Sequence, residues 1–164
     1  FFKVYVNSDP YGVELGGALK NIYALACGIA FGLNSGENTI GMIMTRGLGE
    51  MSRLAHKMGA NPMTFLGLSG VGDLITTCAS PLSRNHKMGE LIGQGHSVED
   101  AKSKIGQAVE GLKTLEAVKK KSLEVGITMP IVDSLYSVIF EGTGFDSIEK
   151  ILGNDQPKDV EFLN

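Results

Sequence analysis

From Leu15 to Gly36 the chain carries a single charged side chain, Lys20, set among Leu15, Leu19, Ile22, Leu25 and Ile29 at helical spacing. A helix this apolar on every face must be enclosed on nearly all sides, either by other helices or by lipid. The run contains Asn21, Asn34 and Ser35 and ends at Glu37, which is shorter and more polar than a membrane span demands. The pattern therefore predicts the central helix of a multi-helix domain. Within it the Lys20 ammonium needs a partner or a function, because a buried lysine is usable in proton transfer.

The remaining periodicity agrees. Helices are predicted at about 12–33, 36–58, 70–79, 83–94, 97–104, 110–125, 131–141 and 145–152. Turn residues separate them at Asn34-Ser-Gly36, Gly59-Ala-Asn-Pro62, Ser80-Pro81, Gly93-Gln-Gly95, Gly126 and Met129-Pro130. Ser97 reads as the N-cap of its helix. Only Phe2-Lys-Val-Tyr-Val6 alternates at strand period, before the turn Asn7-Ser-Asp-Pro10. The expected architecture is all-α, with residues 1–9 a short strand and linker, 10–153 the helical domain, and 154–164 a polar tail.

With 164 residues, 43% hydrophobic and 20% charged, the chain suits one globular domain. A formal net charge of −3 offers no general attraction to nucleic acid, and Lys119-Lys-Lys121 fits the solvated face of a helix. Cys27 and Cys78 both lie in apolar helical sequence, where free thiols act as small core residues, so a reducing, cytoplasmic setting is expected. No signal peptide is visible, and the start at Phe1 without an initiator methionine suggests that something upstream has been removed.

Between Lys57 and Arg84 the only charged residue is Asp73, directly after Gly70-Val-Gly72. Spacing leaves two readings open: Asp73 caps the following helix, or it faces Lys20 and holds its charge. Ser83-Arg84-Asn85 precedes a helical stretch, where backbone N–H groups, a guanidinium and an amide would suit a phosphate or carboxylate. Ser83 is equally good as a plain N-cap. His56, His86 and His96 lack metal-ligand spacing, so no metal site is expected. Gly67-Leu-Ser-Gly70-Val-Gly72 has the wrong order and context for a dinucleotide fingerprint.

Four motifs, in order, carry a resemblance from about Val4 to Pro157. They are Gly12-Val-Glu-Leu-Gly-Gly-Ala-Leu-Lys-Asn21; Thr45-Arg-Gly-Leu-Gly-Glu-Met51; Gly70-Val-Gly-Asp-Leu-Ile-Thr-Thr-Cys78 with Ser83-Arg-Asn85; and Val109-Glu-Gly111 with Met129-Pro-Ile131. Together they resemble the carboxy-terminal, substrate-binding half of bacterial-type NAD(P)-dependent glycerol-3-phosphate dehydrogenases. The resemblance implies an all-α domain of the 6-phosphogluconate-dehydrogenase-like type. Its short initial strand would be left over from a missing amino-terminal Rossmann domain, which in the family also supplies a further active-site lysine.

By the same resemblance Lys20 and Asp73 are catalytic. Lys20, Asn21, Asp73, Thr77, Ser83, Arg84 and Asn85 form the site for glycerol 3-phosphate or dihydroxyacetone phosphate, and Arg84, Ala108 and Glu110 touch the NAD or NADP cofactor. A homodimer is implied for the intact enzyme, and a product that feeds phospholipid synthesis. The chain alone, without the Rossmann domain, is expected to be inactive. Two other readings stay open on the residues themselves: the helical domain of another hydroxy-acid or sugar-acid dehydrogenase, and a non-enzymatic helical interaction module.

Overall fold

The computed structural model describes residues 3–145. Seven α-helices occur among them: α1 (Pro10–Gly32), α2 (Glu37–Lys57), α3 (Asp73–Ala79), α4 (Arg84–Gly93), α5 (Val98–Ile105), α6 (Glu110–Val125) and α7 (Pro130–Phe140). A 3₁₀ turn at Pro62–Leu66 and a π turn at Leu68–Gly72 lead into α3. The all-α expectation holds. Residues 3–6, expected to lie in a strand, are exposed and form none, since a strand needs a neighbouring strand for its backbone groups. The helix expected over 145–152 and the tail from 154 lie outside the described residues, Phe145 excepted.

α1 is the axis of the fold and packs against α2, α3, α4, α6 and α7. Its Asp9 cap accepts the Gly12 N–H at 2.9 Å through Oδ1. Asp9 Oδ2 meanwhile takes the Asn61 N–H at 3.0 Å and the Thr64 hydroxyl at 2.8 Å, tying the start of α1 to the 3₁₀ turn. At 23 residues α1 exceeds the uncharged run and, contrary to the sequence reading, is long and apolar enough to cross a membrane by length and composition. Its surroundings decide the matter: Ile22, Tyr23, Ala24, Leu25, Cys27 and Ile29 are fully buried against the other helices.

α1 and α4 cross at backbone contact. A Cβ on Gly28 would run into the His86 carbonyl, and one on Gly89 into that of Leu25. Gly32 and Gly93 repeat the arrangement one turn on, so each helix presents a pair of glycines four residues apart. This close approach sets the depth at which the start of α4 meets the middle of α1.

Glu50 fastens α7 from within the core. It is 2% exposed and accepts the Tyr23 hydroxyl at 3.1 Å and the Ile131 N–H, in the first turn of α7, at 2.8 Å. Burial pushes its carboxyl up from the ordinary 4.5 to about 7, against the opposing pull of those donors and Arg53. A raised folded-state pKa means that Glu50 favours the fold most below pH 4.5 and that this contribution is lost as pH rises to about 7. The loss is on the order of 3 kcal/mol. Glu50→Gln, whose amide oxygen can accept the Ile131 N–H while its NH2 donates to the Tyr23 hydroxyl oxygen, carries no charge and should remove this component of the pH slope. Urea unfolding at pH 5 and pH 8 checks it: an unchanged slope in the variant would assign the titration elsewhere.

Candidate active site

Successive helical residues point about 100° apart, and α1 uses this to send Lys20 and Asn21 to different neighbours. Lys20, its side chain 21% exposed, reaches α3, where its Nζ lies 2.6 Å from both carboxylate oxygens of Asp73. Thr77, one turn further along α3, donates its hydroxyl to Asp73 Oδ1 at 3.4 Å. Of the two readings of Asp73, the structure shows the ion pair. The cap position of α3 is Gly72, and no side chain caps this helix.

The π turn makes the meeting with Lys20 geometrically feasible. The sequence reading ran a helix continuously from 70; instead Gly72 N–H bonds the Gly67 carbonyl five residues back. Gly70 lies so close to the Phe65 backbone that a Cβ there would overlap it. Only glycine permits that approach, and it sets Asp73 at the start of α3 toward α1.

Asn21 faces the other way, into the core between α1, α4 and α6. Its Oδ1 accepts from Asn85 Nδ2 at 2.9 Å, and Asn85 Oδ1 accepts the Gly111 N–H at 2.9 Å. A Cβ on Gly111 would sit 2.6 Å from that Asn85 oxygen, so the start of α6 can approach only with glycine there. Two amides thus lock three helices together, and one Asn85 N–H remains to be donated elsewhere. The lock places the neighbours Lys20 and Arg84 beside the same junction.

Arg84, first residue of α4, extends outward with its side chain 46% exposed. Its guanidinium donates to Gln107 Oε1 at 3.3 Å and lies 3.8 Å from Glu110 Oε1 at the start of α6. Ser83 is the N-cap of α4, its hydroxyl accepting the His86 N–H at 3.3 Å. That bond satisfies one of the orphan donors of the first turn. Ala108 is exposed in the loop before α6. Sequence reading missed Gln107, an exposed polar loop residue with no periodicity or charge to mark it.

The arrangement combines a carboxylate-bound ammonium open to solvent with a guanidinium at a helix start nearby. Such a pair of cations suits a small anion bearing an oxygen that changes its protonation.

Residues 9–150 match the family model described as NAD-dependent glycerol-3-phosphate dehydrogenase C-terminus. The chain belongs to that family. A curated glycerol-3-phosphate dehydrogenase [NAD(P)+] of Pseudomonas fluorescens is 52% identical over 164 residues, which is 99% of this chain and 48% of that protein. The crystal structure of glycerol-3-phosphate dehydrogenase from Coxiella burnetii superposes with a TM-score of 0.90 at 38% identity, covering 93% of this chain and 47% of the other. A glycerol-3-phosphate dehydrogenase structure from Saccharomyces cerevisiae gives 0.85 at 30% identity, covering 94% and 45%. The chain spans about half the length of the curated relatives it matches.

Proposed function

We propose that this domain binds and positions substrate in an enzyme that interconverts dihydroxyacetone phosphate and glycerol 3-phosphate with NAD or NADP, in the cytoplasm, feeding glycerophospholipid synthesis. The observation that carries the reading is the Lys20–Asp73 pair, partly exposed and joined through Asn21 and Asn85 to the base of Arg84. The names of the relatives support the substrate class.

In this reading the Lys20 ammonium faces the carbonyl oxygen of the ketone, stabilises the negative charge that grows there on reduction, and delivers the proton. In the reverse direction its neutral amine accepts the hydroxyl proton. Asp73 orients Lys20 and is itself held by Thr77. Arg84, the spare Asn85 N–H and the first turn of α4 grip the phosphate, a remote group whose binding energy aligns the reacting carbon.

The residues at the rim fit a nicotinamide: Glu110 offers acceptors and Gln107 an amide edge beside Arg84, with the Ala108 loop between them. The cofactor, when bound, supplies the hydride. No dinucleotide fingerprint occurs in this sequence, so the rest of the cofactor falls to a Rossmann domain. Met63, Leu66 and Leu68 on the turns into α3, and Ile75 in α3, are exposed apolar side chains suited to that domain. A homodimer is the proposed assembly of the whole enzyme.

Replacing Arg84 by Ala in the complete enzyme tests the phosphate assignment. A charge-assisted contact is worth roughly 1.5–3 kcal/mol, so KM for dihydroxyacetone phosphate should rise by about tenfold or more. Reaction with unphosphorylated dihydroxyacetone should suffer less. Equal proportional losses for both ketones would show that Arg84 does not read the phosphate.

A further inference from the structure

Glycine is, after proline, the poorest helix former, yet α1 holds two side by side in its first half, Gly16 and Gly17. Packing accounts for the first. A Cβ on Gly16 would lie 2.4 Å from the Ser69 carbonyl oxygen, in the π turn before α3. No such contact accounts for the second. Gly17 is only partly buried, and among the described residues a Cβ there would meet nothing within 4 Å. Alanine would fit and would make the better helix.

The place of Gly17 on α1 supplies a reason. It stands three residues before Lys20 and four before Asn21, so the three share one side of the helix. At about 100° per residue, Lys20 projects about 60° to one side of Gly17 and Asn21 about 40° to the other. Asn21 Nδ2 turns back to the Gly17 carbonyl at 3.5 Å. Lys20 leans the same way, since a helical side chain covers the turn on the N-terminal side of its own Cα. The ammonium held by Asp73 and the amide pair of Asn21 and Asn85 therefore flank an opening, and its floor is the bare backbone at Gly17.

A substrate with its reacting oxygen at Lys20 and its phosphate at Arg84 and the spare Asn85 N–H must cross that opening. A ketone oxygen within hydrogen-bond reach of Nζ, roughly 3 Å, brings its carbon over the turn that holds residue 17. We propose, on the substrate reading given above, that Gly17 is a specificity-determining residue of this site. The three-carbon body of the phosphorylated ketone lies on the α1 backbone there, and the absence of a Cβ is what admits it.

Steady-state kinetics of Gly17→Ala in the complete enzyme tests the proposal. The variant should keep the circular dichroism spectrum and an undiminished urea midpoint, yet lose about tenfold or more in kcat/KM for dihydroxyacetone phosphate, the scale of one methyl in a fitted site. Gly17→Leu should lose more. Because the added carbon meets the body of the ketone and not its phosphate, unphosphorylated dihydroxyacetone should suffer by a similar factor, unlike in the Arg84 variant. KM for NADH or NADPH should hold. Gly41→Ala, in α2, is the control: a Cβ there also meets nothing within 4 Å, and Gly41 lines a separate cavity that Lys20, Asp73 and Arg84 do not, so activity should be unchanged. With an active wild type, unimpaired kcat/KM in Gly17→Ala would overturn the assignment. So would a rise in cofactor KM with that of the ketone unchanged, which would put the nicotinamide or its domain over Gly17. An equal loss in Gly41→Ala would do the same, by making the effect one of helix glycines in general. A complete wild-type enzyme that does not reduce dihydroxyacetone phosphate would instead defeat the substrate reading itself, and this assignment with it.

Discussion

Lys20→Met in the complete enzyme is expected to lower the maximal rate at least about a hundredfold, the low end for loss of a positioned acid/base group. That corresponds to roughly 2.7 kcal/mol of transition-state stabilisation. Methionine keeps the apolar stem that packs along α1 and removes the ammonium that Asp73 holds at 2.6 Å. Cofactor affinity should change little, because Arg84, Gln107 and Glu110 are untouched. Asp73→Asn is the companion experiment: the ammonium remains but loses its ionic partner, so activity should fall and be less sensitive than in the Lys20 variant. Steady-state kinetics with dihydroxyacetone phosphate reads both. A Met variant that kept more than about a third of wild-type turnover would make Lys20 a structural lysine and end the proposed mechanism.

The largest stability effect is expected where α1 meets α4. Gly28→Ala should destabilise the domain by about 3 kcal/mol or more, because the new methyl meets the His86 carbonyl and the Glu90 N–H, which are backbone atoms that cannot step aside. The two helices would have to separate, loosening the fully buried Leu25, Ile29 and Met88. Against a typical total of 5–15 kcal/mol such a loss is large. Gly17→Ala, in the same helix, is the control. A Cβ there meets nothing within 4 Å, so the helix propensity of alanine should raise stability by up to about 1 kcal/mol. Urea midpoints of the two variants should therefore move in opposite directions. A neutral Gly28→Ala would show that the helices do not touch as described.

Much of the helical framework is local and so was visible in the chain. Ser83 and Ser97 cap the helices they precede, each by accepting a first-turn N–H, and this depends on a few neighbouring residues alone. The apolar run around Lys20 announced a buried helix for the same reason: its period and composition are properties of consecutive residues. The strand expected at Phe2–Val6 failed where described because pairing is not local, and its alternation says nothing about whether a partner exists. The π turn is not legible because glycines at 67, 70 and 72 permit many conformations. The choice among them was made by the backbone of Phe65 pressing on Gly70.

The candidate site divides along the same line. Lys20 and Asp73 were conspicuous as isolated charges, since a charge in an apolar segment stands out against its neighbours. That they meet, 53 positions apart, was decided by how α3 packs on α1. The amide chain from Asn21 through Asn85 to Gly111, and the contact of Arg84 with Gln107, carry no mark in the sequence. Asparagine and glutamine are at home on surfaces and in turns, and only enclosure between three helices turned two of these residues into a lock. The sequence by itself therefore determined the helices, their caps and the types of residue available for chemistry, because these depend on nearest neighbours and burial pattern. Tertiary structure alone decided which of those residues touch, because contact between distant segments is set by the depth and angle of helix packing, here by backbone-to-backbone approach at glycine.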